Sequence, residues 1–251
     1  MPDAPLLILA ATAREAAAVR RAVRVQGRPR LASGRCWQGM AGGSRVAVVQ
    51  GGIGPRRAAA AAHEGFQAFH PRALLVLGFA GGLRAEAAPG TLVLATAVQE
   101  PEGRWPGDPR LLESAGAAAD GADIPCIRGE LVTVAELAAT PGAKAALAAS
   151  TGAVAVDMEA AGVASGAAEI GLPLVVAKVI FDAPDEALPP CLIDVVRQDG
   201  SPRLLRAALL AARDREVRAA LHWAGRRSRQ AARVLTRFSR TFLPILGAGP
   251  P

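Results

Sequence analysis

The chain has 251 residues, 51% of them hydrophobic and 20% charged, with a formal net charge of +7 at pH 7. That apolar share supports one large globular domain and excludes a globally disordered chain. No apolar run approaches the roughly 20 residues that cross a bilayer as a helix. Cys36, Cys126 and Cys191 are far apart and His63, His70 and His222 are scattered, so neither a disulfide framework nor a metal site is expected, and a reduced, cytoplasmic setting fits.

In chain order, Leu6–Ala10 reads as a buried first strand. "PLLILAATARE" is not expected to be a signal peptide, because no basic region precedes it and Arg14 and Glu15 follow at once. A helix follows over Arg14–Arg24, then a strand over Arg45–Gln50, a helix opened by Pro55 and running to Phe69, and strands over Ala73–Gly78 and Thr91–Val98. Glu100–Pro125, rich in Gly, Pro and Asp, reads as a long loop with room for one short helix. Beyond it come a strand over Glu130–Val134, a helix over Pro141–Ala149 and a strand over Ala153–Val156. A helix over Met158–Ile170, stopped by Gly171 and Pro173, leads to a strand over Leu174–Ile180 and a helix over Arg203–Ala212. Continuous Val/Leu/Ile runs mark strands covered on both faces. The alternation predicts a three-layer α/β/α fold with a central mixed β-sheet flanked by helices.

Two glycine-rich segments, "QGGIGPRRA" and "LGFAGGLR", read as turns after strands. Neither matches GxGxxG or a Walker A loop, so no dinucleotide or NTP site is indicated. Three acids fall at the carboxyl ends of predicted strands: Glu15, Glu159 and Asp182. Acids near helix starts are common as caps, but three of them with two glycine segments at one rim match where open α/β sheets gather ligands. Asp157, two residues from Glu159, reads as a helix cap or as bonded to nearby backbone.

In this order, "LAATARE", "GGIGP", "GFAGGL", "VDMEAAGVA" and "VIFDAPD" resemble the purine nucleoside phosphorylase and methylthioadenosine/adenosylhomocysteine nucleosidase superfamily over roughly Leu6 to Leu210. The continuation "FDAPDEALPP" with its basic tail resembles the hopanoid-associated phosphorylase branch. The resemblance implies cleavage of a purine nucleoside's N-glycosidic bond, with adenine leaving adenosylhopane and inorganic phosphate as co-substrate. No cofactor and no metal are implied. Residue by residue it implies that Glu159 binds the ribose hydroxyls with Met158 packed on the sugar. Asp182 would protonate the departing purine and Glu15 would orient or activate water. Gly52, Gly54, Gly81 and Gly82 would surround the ribose and an anion or water site. Phe79 and Phe181, which stand where nucleosidases usually carry serine, would line the base pocket, and Lys178 stands where they carry arginine. Arg14, Arg56, Arg84 and Lys178 are candidate phosphate contacts.

The last 51 residues hold eleven arginines against Asp214 and Glu216, a charge of +9, while the first 200 residues carry −2. Val217, Leu221, Ala224, Ala231, Leu235, Phe238 and Phe242 form one helical stripe, with Arg226, Arg229, Arg233, Arg237 and Arg240 near the opposite face. A nucleoside phosphorylase-like domain over 1–214 and a basic amphipathic C-terminal helix and tail over 215–251 are therefore expected. The helix suits an anionic membrane surface, which would make the protein peripheral at the inner face of the membrane. Packing on its own body or another subunit, and nucleic acid, are the alternatives. A homo-oligomer is implied by the resemblance. Hydrolysis of methylthioadenosine or adenosylhomocysteine is the rival activity. A catalytically silent binding module is the rival from another class.

Overall fold

A computed structural model describes residues 4–191 and 214–247. The predicted helix over Arg203–Ala212 lies outside the described residues. The elements are β1 (Leu6–Ala10), α1 (Ala13–Arg20), β2 (Arg24–Gly27), β3 (Arg35–Ala41), β4 (Ser44–Gln50), α2 (Pro55–Phe69), β5 (Ala73–Gly82), β6 (Leu92–Glu100), β7 (Gly103–Pro106) and α3 (Pro109–Gly121). Then follow β8 (Cys126–Thr133), α4 (Pro141–Thr151), β9 (Ala155–Asp157), α5 (Ala160–Glu169), β10 (Leu174–Asp182) and α6 (Arg215–Ile245).

One mixed sheet runs β2-β3-β4-β1-β5-β10-β6-β8-β9, with β7 on β6. The inner strands β4, β1, β5 and β10 are parallel, while β10–β6 and the β2–β3–β4 edge are antiparallel. The end of β5 pairs back to β9, Gly81 opposite Val156 and Gly82 opposite Ala155. Strands β5, β10, β6, β8 and β9 therefore close a ring.

Alternate strand residues feed two cores, as the pleat requires. Leu6, Ile8, Leu75, Leu77, Val175 and Val179 pack with α1, α3 and α6. Leu7, Leu9, Leu74, Val76, Val176 and Ile180 pack with α2 and α5. The expected three-layer architecture is thus present, with helices on both faces.

Three local readings need correction. The supposed loop over Glu100–Pro125 contains β7 and the thirteen-residue α3. Its Asp and Pro are helix-start chemistry: Asp108 accepts from the Leu111 N–H at 3.0 Å and Pro109 opens the first turn. Its Ala and Gly form the buried face through Ala115, Gly116, Ala118 and Ala119. The supposed turn "LGFAGGLR" is strand as far as Gly82, because β5 finds partners in β10 and then β9. Strands β2 and β3 were not expected, and their exposed arginines and Gly27 hide the period-2 pattern.

The C-terminal helix is present and lies on the body. Ala231, Leu235, Phe238 and Phe242 are buried in the first core, with the two phenylalanine rings 5.0 Å apart. The Thr236 hydroxyl donates to the Ala18 carbonyl at 3.0 Å and that of Thr241 to the Ala118 carbonyl at 3.1 Å, pinning α6 to α1 and α3. Val217, Leu221 and Ala224, nearer the helix start, are half-buried, and the five arginines of the opposite face are exposed.

Candidate active site

Parallel strands β1, β5 and β10 carry the site at their carboxyl ends. Directly after β1, Thr12 and Glu15 form a capping box at the start of α1. The Glu15 carboxylate accepts from the Thr12 N–H at 2.6 Å and hydroxyl at 2.7 Å, and Thr12 Oγ1 accepts from the Glu15 N–H. Glu15 also accepts from the Phe79 N–H of β5 at 2.6 Å. That approach needs Gly78: a Cβ there would lie 2.4 Å from Glu15 Oε1 and 3.4 Å from Lys178 Nζ. Glu15 and Lys178 thus border the same spot on β5, as expected from the pairing of Lys178 with Gly78.

Lys178 is 2% exposed. Its ammonium meets Asp157 Oδ2 at 2.8 Å and Glu159 Oε2 at 3.7 Å. Burial alone would pull this lysine's pKa down, but Asp157, Glu159 and Glu15 together outweigh it and hold the ammonium above its usual range. Asp157 also accepts from the Thr133 hydroxyl at 2.7 Å and from the Ala160 N–H at the start of α5, so it is the cap its position suggests. Glu159 has a different role in the fold. It caps nothing with its side chain, and Oε1 instead accepts from the Gly54 N–H at 3.1 Å. Gly54 holds φ of +102°, which glycine adopts without strain. Burial pushes the Glu159 carboxyl up to about 7, with Lys178 opposing and Asp157 and Glu15 adding to the rise.

Asp182 ends β10 beside Gly81, whose added Cβ would sit 3.4 Å from Asp182 Oδ2 and 3.2 Å from Val156 of β9. Val156, three residues before Glu159, and Asp182 therefore flank the same segment of β5. Asp182 Oδ2 takes no directed hydrogen bond but forms an ion pair with Lys144 of α4. Lys144, 0% exposed, donates as well to the carbonyls of Ala183 at 2.6 Å and Glu186 at 2.8 Å. Burial raises the Asp182 pKa, and Lys144 pulls against it.

Phe79 and Phe181 lie with ring centroids 6.4 Å apart, and Trp223 of α6 meets Phe181 edge-on at 5.6 Å. Arg227, one turn further along α6, pairs with Glu186 and ties the helix to the segment after Asp182. Gly52 follows β4, its N–H donating to the Ala11 carbonyl at 3.0 Å, and Met158 is half-buried between Asp157 and Glu159. Gly81 and Gly82 spend their register on β9. Arg84 is exposed and donates to the Ala148 carbonyl of α4 at 3.2 Å. Arg14 and Arg56 are exposed too.

Sequence reasoning passed over Lys144, Thr12 and Trp223. One signal was available for the first. The chain has 29 cationic residues, and only Lys144 and Lys178 are lysines; both are buried against these carboxylates.

Buried carboxylates at strand ends, beside glycine backbone and aromatic rings, are the equipment of an enzyme acting on a small, hydroxyl-bearing substrate. The chain belongs to the phosphorylase superfamily, whose profile matches residues 5–197. That places it among the nucleoside phosphorylases and nucleosidases, enzymes that cleave nucleoside N-glycosidic bonds. Solved structures carry the same fold. The 5′-methylthioadenosine/S-adenosylhomocysteine nucleosidase of Helicobacter pylori superposes with a TM-score of 0.75 at 18% identity, over 94% of this chain and 96% of that one. The corresponding nucleosidase of Neisseria meningitidis, in complex with methylthio-immucillin-A, gives 0.73 at 18% identity, over 94% and 98%. Futalosine hydrolase of Helicobacter pylori gives 0.72 at 17%, over 94% and 97%.

Proposed function

We propose that the chain releases adenine from a purine nucleoside, with Glu159 holding the ribose diol and Asp182 protonating the leaving base. The observation that carries this reading is two buried, differently partnered carboxyls, Glu159 just after β9 against Lys178 and the Gly54 N–H, and Asp182 at the end of β10 against Lys144. Cleavage of the glycosidic bond builds positive charge on the sugar and negative charge on the purine. Glu159, ionised as pH rises past about 7 and kept in place by Lys178 and the Gly54 N–H, suits the sugar. A carboxyl whose pKa is raised by burial suits the base, and general acid catalysis of this kind contributes about 10²–10⁴-fold. Lys144 is a positioning residue in this scheme. It opposes the effect of burial on Asp182 and so sets how readily that carboxyl gains and gives its proton.

Water is the acceptor this arrangement favours. Glu15 is a buried carboxylate where an incoming phosphate would meet like charge. Among the described residues both buried ammonium groups already face carboxylates. Methylthioadenosine and adenosylhomocysteine, named for the structural neighbours, are the substrates to try first. A second reading is phosphorolysis of adenosylhopane in hopanoid biosynthesis, with inorganic phosphate as co-substrate. It draws on Phe79, Phe181 and Trp223, an aromatic group suited to an apolar 5′ substituent.

The test is incubation of the protein with methylthioadenosine, adenosylhomocysteine and adenosylhopane, each with and without phosphate, reading adenine by chromatography. Adenine in phosphate-free buffer supports hydrolysis. Release that requires phosphate supports the second reading, and release from none of the three overturns both.

A further inference from the structure

A groove of about 910 Å³ runs between α1, the end of α3 and α6. Six arginines line it: Arg14 from α1, Arg21 at its C-terminal cap, and Arg229, Arg233, Arg237 and Arg240 from α6. All six are exposed. Asp123 is the one acid lining it, 3.8 Å from Arg237. Among the described residues the other five arginines have no carboxylate partner. Two arginines outside the groove do face acids, in Arg104–Glu130 and Arg227–Glu186. Like charges gathered within a Debye length repel one another, which opposes the folded state unless an anionic partner offsets it.

We propose that this groove docks the protein on the surface of a bilayer bearing anionic phosphate headgroups. Segments some two hundred residues apart in sequence combine to form it, so it is a property of the fold and not of the tail alone. The four arginines of α6 span twelve residues, about 16 Å of helix, and being exposed they can each meet a separate headgroup. Along the groove the apolar stripe of α6, from Ala231 to Phe242, is occupied by the protein core, so the association there is electrostatic, without insertion of this part of the helix. Nucleic acid fits less well, because no aromatic side chain lines the groove for a base to stack on. Arg14 directly precedes Glu15, which places one end of the groove at the rim of the site. A nucleoside with an apolar 5′ group, dissolved in the bilayer, would reach that rim without crossing bulk water. This consequence rests on the proposed substrate class; the docking does not.

The test is co-sedimentation of the full chain with vesicles of phosphatidylcholine alone or mixed with phosphatidylglycerol. Binding is expected only to the mixed vesicles, and it should weaken steeply as salt rises to about 0.5 M. Joint substitution Arg229→Gln, Arg233→Gln, Arg237→Gln and Arg240→Gln is expected to weaken binding several hundredfold, at about fivefold per basic residue. Its thermal unfolding midpoint should not fall. A charge-matched control, Arg24→Gln, Arg35→Gln, Arg45→Gln and Arg110→Gln, alters exposed residues outside the groove and should keep the binding. The proposal is overturned by equal loss in the control, by no binding to the anionic vesicles, or by tighter binding to a single-stranded oligonucleotide. Because vesicle binding is read without substrate, its failure is separate from failure of the adenine-release assay.

Discussion

The chain holds its cations in two opposite settings. In the interior, Lys144 of α4 and Lys178 of β10 are buried and face Asp182, Asp157 and Glu159. Along the groove on α6, six arginines are exposed and share one acid. A cation taken out of water needs its counter-charge inside the fold, whereas an exposed one can leave it to salt or to a partner. Lysine brings a compact point charge on a flexible stem, and a side chain at position 78 would crowd the Lys178 ammonium, a Cβ there lying 3.4 Å from Nζ. One region is therefore tuned by burial and the other by ionic strength, and they should answer different perturbations.

The largest effects belong to the buried set. Asp182→Asn and Glu159→Gln are each expected to lower adenine release by about 10²–10⁴-fold, with circular dichroism and melting showing a folded protein. Full activity in either variant would remove that carboxyl from the chemistry. Next comes Lys178→Met, which strands Asp157 and Glu159 in the interior. It should cost about 3–5 kcal/mol in chemical denaturation, and less when Asp157→Asn and Glu159→Gln are added.

The pH dependence sharpens the same point. The Glu159 carboxyl is raised from the model-compound value of 4.5 to about 7, so the folded state holds its proton more tightly than the unfolded one. Its contribution is fully present below the unfolded value and is lost as pH rises through the folded one. Stability should therefore decline between roughly pH 4.5 and 7, and Glu159→Gln should flatten that decline. An unchanged slope in the variant would mean that this carboxyl is not the source. Lys144→Met should move the activity limb assigned to Asp182 to higher pH, since the larger of the two charges opposing its burial is gone and only Arg227 remains.

Smaller effects mark the outer wall. Trp223→Ala removes an edge-to-face contact worth about 0.5–1.5 kcal/mol. It should change the KM ratio between apolar and polar 5′ substituents more than kcat. Arg104→Gln breaks an ion pair whose arginine side chain is 58% exposed and should leave the denaturation midpoint where it was.

Much of this was legible in the sequence, for identifiable reasons. Unbroken runs such as Leu6–Ala10 mark strands with both faces covered, and Pro55 marks a helix start, so β1 and α2 were placed at their observed bounds. The apolar stripe of α6 announced a helix with one buried side. Glu15, Glu159 and Asp182 could be put at one end of the sheet because each follows a recognisable strand. Helix α3 was hidden because its buried face is alanine and glycine, which carry almost no hydrophobic periodicity. The second glycine segment was misread because glycine serves turns and close-packed strands alike.

By itself the sequence determined the alternation of strands and helices, the three acids at strand ends and the excess of arginine at the C-terminus, since all of these are local patterns. Only the tertiary structure decided that Lys144 reaches Asp182 across 38 positions, that β5 turns back onto β9, and that Arg14 and Arg21 join the arginines of α6. Such pairings depend on which surfaces the packed core brings within a few ångströms, and no local spacing encodes that distance.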